Sequence, residues 1–194
     1  MIPSAVGVTV KSGWASVVLL AGSAAQPRVA DTRRIELSDP SIPESRQPYH
    51  AGFGAARQAG AERTRLLAGV RRFGGRSVAD TIRHYRSSGH RVARAGIVVG
   101  SLIDPKQIAN DHIRIHAMEG QLFREVVRAA AARMRLRCWV CRERDLVAHA
   151  AATLKRSEAV LRRTAAALGD EVDGPWRAEH KAAALAAWVM LATP

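Results

Sequence analysis

The stretch VGVTVKSGWASVVLLAG, residues 6–22, decides how the start of the chain folds. Valines at alternate positions from Val6 to Val10 are separated by small or polar residues, which is the two-residue period of a β-strand. A Ser-Gly pair at residues 12–13 is a turn signal, and a second apolar run follows it to Leu20. The stretch therefore predicts two neighbouring strands joined by a tight turn.

The patterns that follow predict an α/β fold with a mixed sheet, formed by one domain over residues 1–194. A third strand makes an antiparallel meander with the first two, and two later strands run parallel to the first. An irregular loop is expected at residues 38–60, and the last part of the chain, residues 145–194, is helical. The other predicted elements are a strand over 28–37, helices over 61–72 and 77–88, a strand over 92–100, a helix from 104 to about 135, a strand over 136–142, and helices over 145–155, 157–168 and 174–191.

The charge of the chain points to a polyanionic partner. Lys and Arg outnumber Asp and Glu by 30 to 17, so the net charge is +13, and the sequence pI is about 11.3. Such an excess attracts nucleic acid first and anionic lipid second. An enrichment of Arg and Ala that reflects genomic base composition is the alternative explanation. The side chains that we predict to contact nucleic acid are Lys11, Arg71, Arg72, Arg76, Arg142 and Arg144.

The two cysteines, Cys138 and Cys141, predict no disulfide framework and favour a cytoplasmic protein. Their spacing on a predicted strand directs the side chains to opposite faces, so ordinary packing is favoured over a redox or zinc motif. No uninterrupted apolar run is long enough for a bilayer span, and no membrane partner is expected. The apolar run after Lys11 has some features of a signal peptide, but the strand-like residues before it disfavour secretion.

The order of predicted elements is similar to that of the ribonuclease H-like superfamily, and within it resembles the RuvC-type Holliday-junction resolvases. Four segments carry the resemblance. They are the opening hairpin, the helix that begins IANDHIRIHAMEGQLF at residue 108, the strand CWVCRERDLV at residue 138, and the closing Ala-rich helix WRAEHKAAALAAWVMLA at residue 176. The resemblance implies a nuclease scaffold and a homodimer, for which any exposed apolar face of the last helix would serve.

The resemblance also implies an acidic centre, which this sequence does not retain. The family places an aspartate on the first strand, a glutamate near the end of the fourth strand and aspartates on the last helix, and these hold two divalent cations. Here the first position falls near Thr9 or Lys11, the second falls near Gly100 and Ser101, and the last helix offers Glu179. Hard cations need carboxylate oxygens. We therefore expect no cofactor, with Mg²⁺ or Mn²⁺ at relocated ligands as the alternative.

The segment at residues 111–119 offers the main set of relocated ligands. His112 and His116 are four residues apart and share a helix face, and Glu119 follows three residues later. Such a histidine pair can bind zinc, although the simpler interpretation, which we favour, is a polar helix face without a metal. The candidates for a metal are His112, His116 and Glu119, and the candidates for catalysis are Asp104, Asp111 and Glu179.

These observations favour a non-catalytic ribonuclease H-like domain that associates with nucleic acid or acts as a scaffold. The alternative is a metal-dependent nuclease or hydrolase with relocated ligands. A third class, the actin-like ATPases, also opens with a hairpin, but it needs an acid there and a longer chain. We rank that class last.

Overall fold

A five-stranded sheet forms the centre of the computed structural model, which describes residues 1–51 and 60–193. Its order is β3-β2-β1-β4-β5, in which β1, β2 and β3 are antiparallel neighbours and β4 and β5 run parallel to β1. The predicted mixed sheet is therefore confirmed. The strands are β1 Ile2–Lys11, β2 Trp14–Gly22, β3 Pro27–Glu36, β4 His90–Val99 and β5 Arg137–Arg142.

Helices cover both faces of this sheet. The first two helices and the last three pack on opposite faces and close two separate apolar clusters. None of the described helices is both long and apolar enough to cross a membrane. The helices are α1 Ala61–Ser87, α2 Asp111–Arg133, α3 Leu146–Leu154, α4 Glu158–Ala167 and α5 Ala178–Ala192.

The face covered by α1 and α2 has a core of large apolar side chains. Val6 and Val8 of β1 and Ile97 of β4 point to this face, because alternate residues of a strand share a face. Phe123 of α2 and Tyr85 of α1 are buried against them. Removal of this apolar surface from water provides most of the driving force for packing the helices on the sheet.

The opposite face is built for the close approach of α5. Gly7 of β1 and Gly96 of β4 are register partners, and both lie under this helix. A Cβ atom at Gly7 would lie 1.7 Å from the Ala183 carbonyl oxygen, and one at Gly96 would lie 2.7 Å from the Ala186 carbonyl oxygen. The backbone of α5 therefore rests directly on the backbone of the two central strands.

The apolar side chains of α5 belong to the core. Leu185, Trp188 and Met190 are all buried, and the indole N–H of Trp188 donates to the Ala24 carbonyl oxygen over 2.8 Å. These side chains leave no apolar face of α5 for a second copy of the chain. The homodimer stays a prediction, and it requires a different surface.

The predicted break between two helices near residue 76 is wrong, because α1 is continuous from Ala61 to Ser87. Ser77 is an interior residue of this helix and not an N-cap. Gly74 lies inside this helix and serves close packing: its Cβ atom would lie 2.6 Å from the Leu37 carbonyl oxygen and 2.8 Å from Cγ1 of Val126. Tertiary contacts here override the low helix propensity of glycine.

The predicted start of the long central helix at Asp104 is also wrong. The Asp104 side chain caps a separate 3₁₀ turn, Pro105–Gln107, after which the backbone is extended at Ile108. The helix α2 begins at Asp111, because the side chain of Asn110 accepts a hydrogen bond from the Ile113 N–H group and acts as its N-cap.

Two further boundaries differ from the sequence prediction. Within the predicted irregular loop, Pro43–Arg46 forms a 3₁₀ turn with proline at its first position. The residues of that loop from 52 to 59 lie outside the described residues. The last helix begins at Ala178 and not at residue 174.

Candidate functional site

The position at which the resemblance places an acid on the first strand is closed by the last helix. Thr9 of β1 is 1% exposed, and its hydroxyl donates a hydrogen bond to the Glu179 carbonyl oxygen in the first turn of α5 over 2.8 Å. This bond satisfies the hydroxyl inside the protein. A neutral side chain therefore joins β1 to α5 here.

Basic groups beside this position are paired with acids. We use the name strand-end site for the carboxyl ends of β1, β4 and β5. Lys11 Nζ lies 3.5 Å from Glu143 Oε2, and Arg142 Nε donates to the Asp145 carboxylate, which Arg144 also approaches. These side chains are partly exposed, so each pair contributes little to stability. Three of the predicted nucleic-acid contacts thus lie together, each beside a carboxylate.

The three carboxylates suggested for catalysis are not brought together. Asp104 accepts a hydrogen bond from the Lys106 N–H group over 3.0 Å, and Asp111 pairs with Arg114 on the next turn of α2. Glu179 contributes its backbone carbonyl oxygen to the contact with Thr9. Among residues 1–51 and 60–193, the group of three or more potential ligand side chains that converges within 4.8 Å consists of histidines.

These histidines are His50, His112 and His116, which we call the histidine cluster. The Nε2 atoms of His112 and His116 lie 3.1 Å apart on one face of α2, as their spacing predicts. The ring centroid of His50 lies 4.4 Å from that of His116. Loss of solvation and the neighbouring charges of His50 and His112 lower the pKa of His116. Sequence reasoning missed His50, because it lies 62 positions before His112 in a segment without a motif.

Glu119, which the sequence suggests as a metal ligand, contacts His50 of the histidine cluster. Its side chain is 1% exposed, and its Oε1 atom accepts the Tyr49 N–H group over 2.7 Å and the His50 N–H group over 3.2 Å. His50 Nδ1 lies 3.3 Å from the same oxygen. Burial raises the pKa of the Glu119 carboxyl, although these hydrogen bonds act against the shift.

Two buried polar atoms around Glu119 have no hydrogen-bond partner among the residues that the structure describes. They are Oε2 of Glu119 and Nε2 of His50. Unpartnered buried polar atoms are uncommon in folded proteins, and each has an energetic cost. Their occurrence on two side chains that contact each other distinguishes this cluster from an ordinary polar helix face.

A second candidate site lies along α1. Arg65, Arg72 and Arg76 are exposed and occupy one face of the helix, since seven and four residues are close to whole turns. We call these three residues the α1 basic face. It lines a groove of about 380 Å³ between α1 and residues 39–45, together with half-buried Phe73.

The groove extends along the helix into a neighbouring cavity. This cavity has a volume of about 500 Å³, shares Phe73 and Arg76 with the first groove, and adds Arg33 and His84. Acidic side chains are also present: Asp39 and Glu62 line the first groove, and Asp80 lines the second. Within the described ranges no ion pair involves a residue of the α1 basic face.

Arg71 does not belong to the α1 basic face, although the sequence groups it with Arg72 and Arg76. The residue is exposed but does not line either groove. Its charge acts on Tyr49: burial raises the pKa of that phenol, and the charges of Arg71 and Arg63 act against the shift. Arg65 lines the groove instead. The rotation of about 100° from one helical residue to the next thus places Arg71 and Arg72 on different surfaces.

Two solved structures are similar in fold to this chain. A Thermus thermophilus RuvC structure aligns with a TM-score of 0.54 and 11% sequence identity, over 97% of this chain and 92% of that chain. T. thermophilus RuvC in complex with a Holliday junction substrate gives the same TM-score and identity, over 97% of this chain and 91% of that chain. No protein-family model matches the sequence, and no curated protein matches it. The predicted ribonuclease H-like, RuvC-like fold is therefore confirmed.

Proposed function

We propose that this chain is a non-catalytic ribonuclease H-like domain that binds nucleic acid through the α1 basic face. The observation that carries the proposal is the alignment of Arg65, Arg72 and Arg76 beside Phe73 on one groove. Guanidinium groups without an acidic partner are free to pair with phosphates, and an aromatic ring beside them is a surface for base stacking.

The dimensions of the α1 basic face fit a nucleic-acid backbone. Arg65 and Arg76 are separated by eleven residues, or about 16 Å along a helix axis. This length corresponds to about five steps along one strand of a duplex at 3.4 Å per step. The net charge of +13 adds a long-range attraction that is independent of base sequence.

The absence of catalysis in this proposal follows from the strand-end site. Thr9 is buried against α5, and Lys11 brings a positive charge to the adjacent end of β1. Two-metal hydrolysis needs several carboxylates around the ions. A nuclease assay on duplex, single-stranded and four-way-junction DNA should give no cleavage with Mg²⁺ or Mn²⁺, and cleavage by the purified chain would contradict the proposal.

The binding surface is tested by two triple variants that remove the same charge. Arg65, Arg72 and Arg76 are replaced by Gln in one, and Lys11, Arg142 and Arg144 in the other. Fluorescence anisotropy measures DNA affinity between 50 and 200 mM salt. The slope of log K against log salt is negative, and the first variant should reduce its magnitude by about 2.7, for three lost phosphate contacts. The second should change it by less than half as much.

Three results would overturn parts of this proposal. No affinity of the unmodified chain for any of the three DNA forms at low salt would exclude nucleic-acid binding. Equal losses in both triple variants would exclude the α1 basic face as the specific surface. A larger loss in the second variant would move the interface to the strand-end site, where the sequence places half of its predicted contacts.

A metal-dependent hydrolase is the second candidate function, and the histidine cluster is the observation that favours it. His116 also lines a cavity of about 280 Å³ at the strand-end site, together with Lys11 and Ser101. Metal ions at histidine ligands can activate water for hydrolysis. Cleavage of DNA that requires added Zn²⁺ or Mn²⁺ and is lost in His116→Ala would support this function in place of the first.

A further inference from the structure

We propose that the histidine cluster binds one divalent transition-metal ion of the Zn²⁺ class, with Glu119 orienting His50 behind it. The inference rests on the geometry of His50, His112 and His116 and does not depend on nucleic-acid binding. It also assigns a role to a buried carboxylate that has no part in the proposed interface.

The spacing of the ligand atoms suits a transition metal. One nitrogen from each of His50, His112 and His116 lies within 4.8 Å of the other two, and the Nε2 atoms of His112 and His116 are 3.1 Å apart. Zinc binds imidazole nitrogen at about 2.0–2.1 Å, so two nitrogens of a tetrahedral site are roughly 3.3 Å apart. Because His112 and His116 are exposed, their rings can make the small rotations that would close the site on an ion.

The contact between His50 and Glu119 prepares the first of these ligands. His50 Nδ1 lies 3.3 Å from Glu119 Oε1, so a proton on Nδ1 donates to the carboxylate and leaves Nε2 with a free lone pair. That Nε2 atom is buried without a hydrogen-bond partner in the described part of the chain. A carboxylate behind a metal-bound histidine fixes the ring and raises its basicity. A metal bond at Nε2 would also satisfy this otherwise unpartnered atom.

The donor set also selects the class of ion. Three imidazoles suit Zn²⁺, Cu²⁺, Ni²⁺ or Fe²⁺, whereas Mg²⁺ and Ca²⁺ require mainly oxygen ligands. Three protein ligands leave one position of a tetrahedral ion for water or a small anion. Since His116 also lines the cavity at the strand-end site, solvent reaches the cluster from that side.

A simpler interpretation uses the same side chains without a metal. A hydrogen bond between His112 and His116 accounts for their 3.1 Å separation. It does not explain why Nε2 of His50 is buried without a hydrogen-bond partner among the described residues, or why the His50 ring centroid lies 4.4 Å from that of His116. The two interpretations differ in whether the chain binds an ion with defined stoichiometry.

The test uses the full chain without an affinity tag, stripped of metal by a chelator. Calorimetric titration should give one Zn²⁺ per chain, and added Co²⁺ should give the intense visible absorption of a tetrahedral ion. His116→Ala should weaken Zn²⁺ binding at least tenfold and abolish that absorption. The matched control is His84→Ala, which removes another exposed helical histidine, and it should leave both signals unchanged.

Glu119→Gln tests the role of the carboxylate. Loss of a carboxylate behind a histidine ligand typically weakens metal affinity by 10- to 100-fold, and the Co²⁺ absorption should persist because all three histidines remain. Circular dichroism confirms that this variant is folded. If it is not, the His116→Ala variant, at an exposed position, still decides the question.

Three results would overturn the metal site. They are no Zn²⁺ binding by the unmodified chain, equal binding by the His116→Ala and His84→Ala variants, or displacement of Zn²⁺ by millimolar Mg²⁺. Nucleic-acid affinity is not a readout in this experiment. Failure of the metal site therefore leaves the proposed interface on α1 unaffected, and failure of that interface leaves the metal site unaffected.

Discussion

The two faces of the sheet are closed by different kinds of contact, and β4 displays both at adjacent positions. Ile97 points to the α1 and α2 face, where it is fully buried among branched and aromatic side chains. Gly96 points to the opposite face, where the Ala186 backbone occupies the space of a side chain. The first face can repack around small changes in volume. At Gly96 on the second face no flexible side chain can move aside, because the nearest atoms are the backbone and Cβ of Ala186.

This difference bears on the strand-end site. The close approach of α5 that Gly7 and Gly96 allow also brings the first turn of the helix over Thr9. A threonine hydroxyl fits this narrow space and donates to a backbone carbonyl. A carboxylate with a hydrated cation needs more room and more oxygen ligands than the contact provides. Tight packing of α5 and the lack of an acid on β1 are therefore parts of one arrangement.

Among the substitutions that test this difference between the two faces, Gly7→Ala is expected to cause the largest loss of stability. The added methyl group would lie 1.7 Å from the Ala183 carbonyl oxygen, so the strand or the helix must shift. We expect a loss of about 3 kcal/mol or more in the free energy of unfolding, measured by urea denaturation. Ile97→Val changes the opposite face by one methyl group and should cost only about 1 kcal/mol. Equal costs would contradict the distinction between the faces.

A smaller loss is expected from Thr9→Asp, which restores an acid at the first-strand position. The new carboxylate would face the Glu179 carbonyl oxygen, and two acceptors would meet where a donor is now satisfied. Because a buried carboxyl without a cationic partner takes up a proton, the cost should be that of a poorly satisfied buried polar group, about 2 kcal/mol in thermal or chemical unfolding. The variant should also remain inactive in a nuclease assay with Mg²⁺. Gain of cleavage by this single substitution would show that the site is open.

A smaller effect than that of Thr9→Asp is expected on the other face, from Tyr85→Phe. The buried Tyr85 hydroxyl donates to Asp31 Oδ2 over 2.6 Å and links α1 to β3. Burial by itself would raise the pKa of Asp31, but the hydrogen bonds from Arg33 and Tyr85 outweigh it and hold this pKa below its usual 3.8. Loss of the hydroxyl should cost about 1 to 1.5 kcal/mol at pH 7, less than either change on the α5 face.

The pH dependence of this variant follows from the direction of the shift. A carboxyl whose pKa is lowered by folding adds stability above its unfolded pKa, and this stability is lost as the pH falls through the folded pKa. The difference in unfolding free energy between the unmodified chain and Tyr85→Phe should therefore be constant from pH 7 to about 5. It should shrink below about pH 4. A difference that grows on acidification would contradict the ionised state of Asp31.

Sequence patterns predicted those features that depend on neighbouring residues. The alternating valines from Val6 to Val10 define β1, and the opposite faces expected for Cys138 and Cys141 are confirmed by their separate clusters. The four-residue spacing of His112 and His116 likewise fixes their shared face. Local periodicity determines which side of a strand or helix a residue occupies, and that is sufficient for the order of elements and the type of sheet.

Sequence patterns gave wrong helix boundaries at two places. The sequence predicted a break between residues 72 and 77, yet Gly74 within that interval serves the approach of α1 to Leu37 and Val126. Asp104 caps a short turn and not the helix that the sequence places there. For Gly74 the contacts that decide the outcome lie far away in the chain. For Asp104 the capping preference was correctly identified, but the group that it caps is the Lys106 N–H of a short turn.

By itself, then, the sequence determined the mixed α/β sheet, the strong positive charge and the lack of an acid on the first strand. Only the tertiary structure decided which side chains meet. It brings the ring centroid of His50 within 5.9 Å of that of His112, 62 positions later, and places Glu119 Oε1 3.3 Å from His50 Nδ1. The physical reason is that spacing along one element fixes direction, whereas convergence of side chains depends on how separate elements pack.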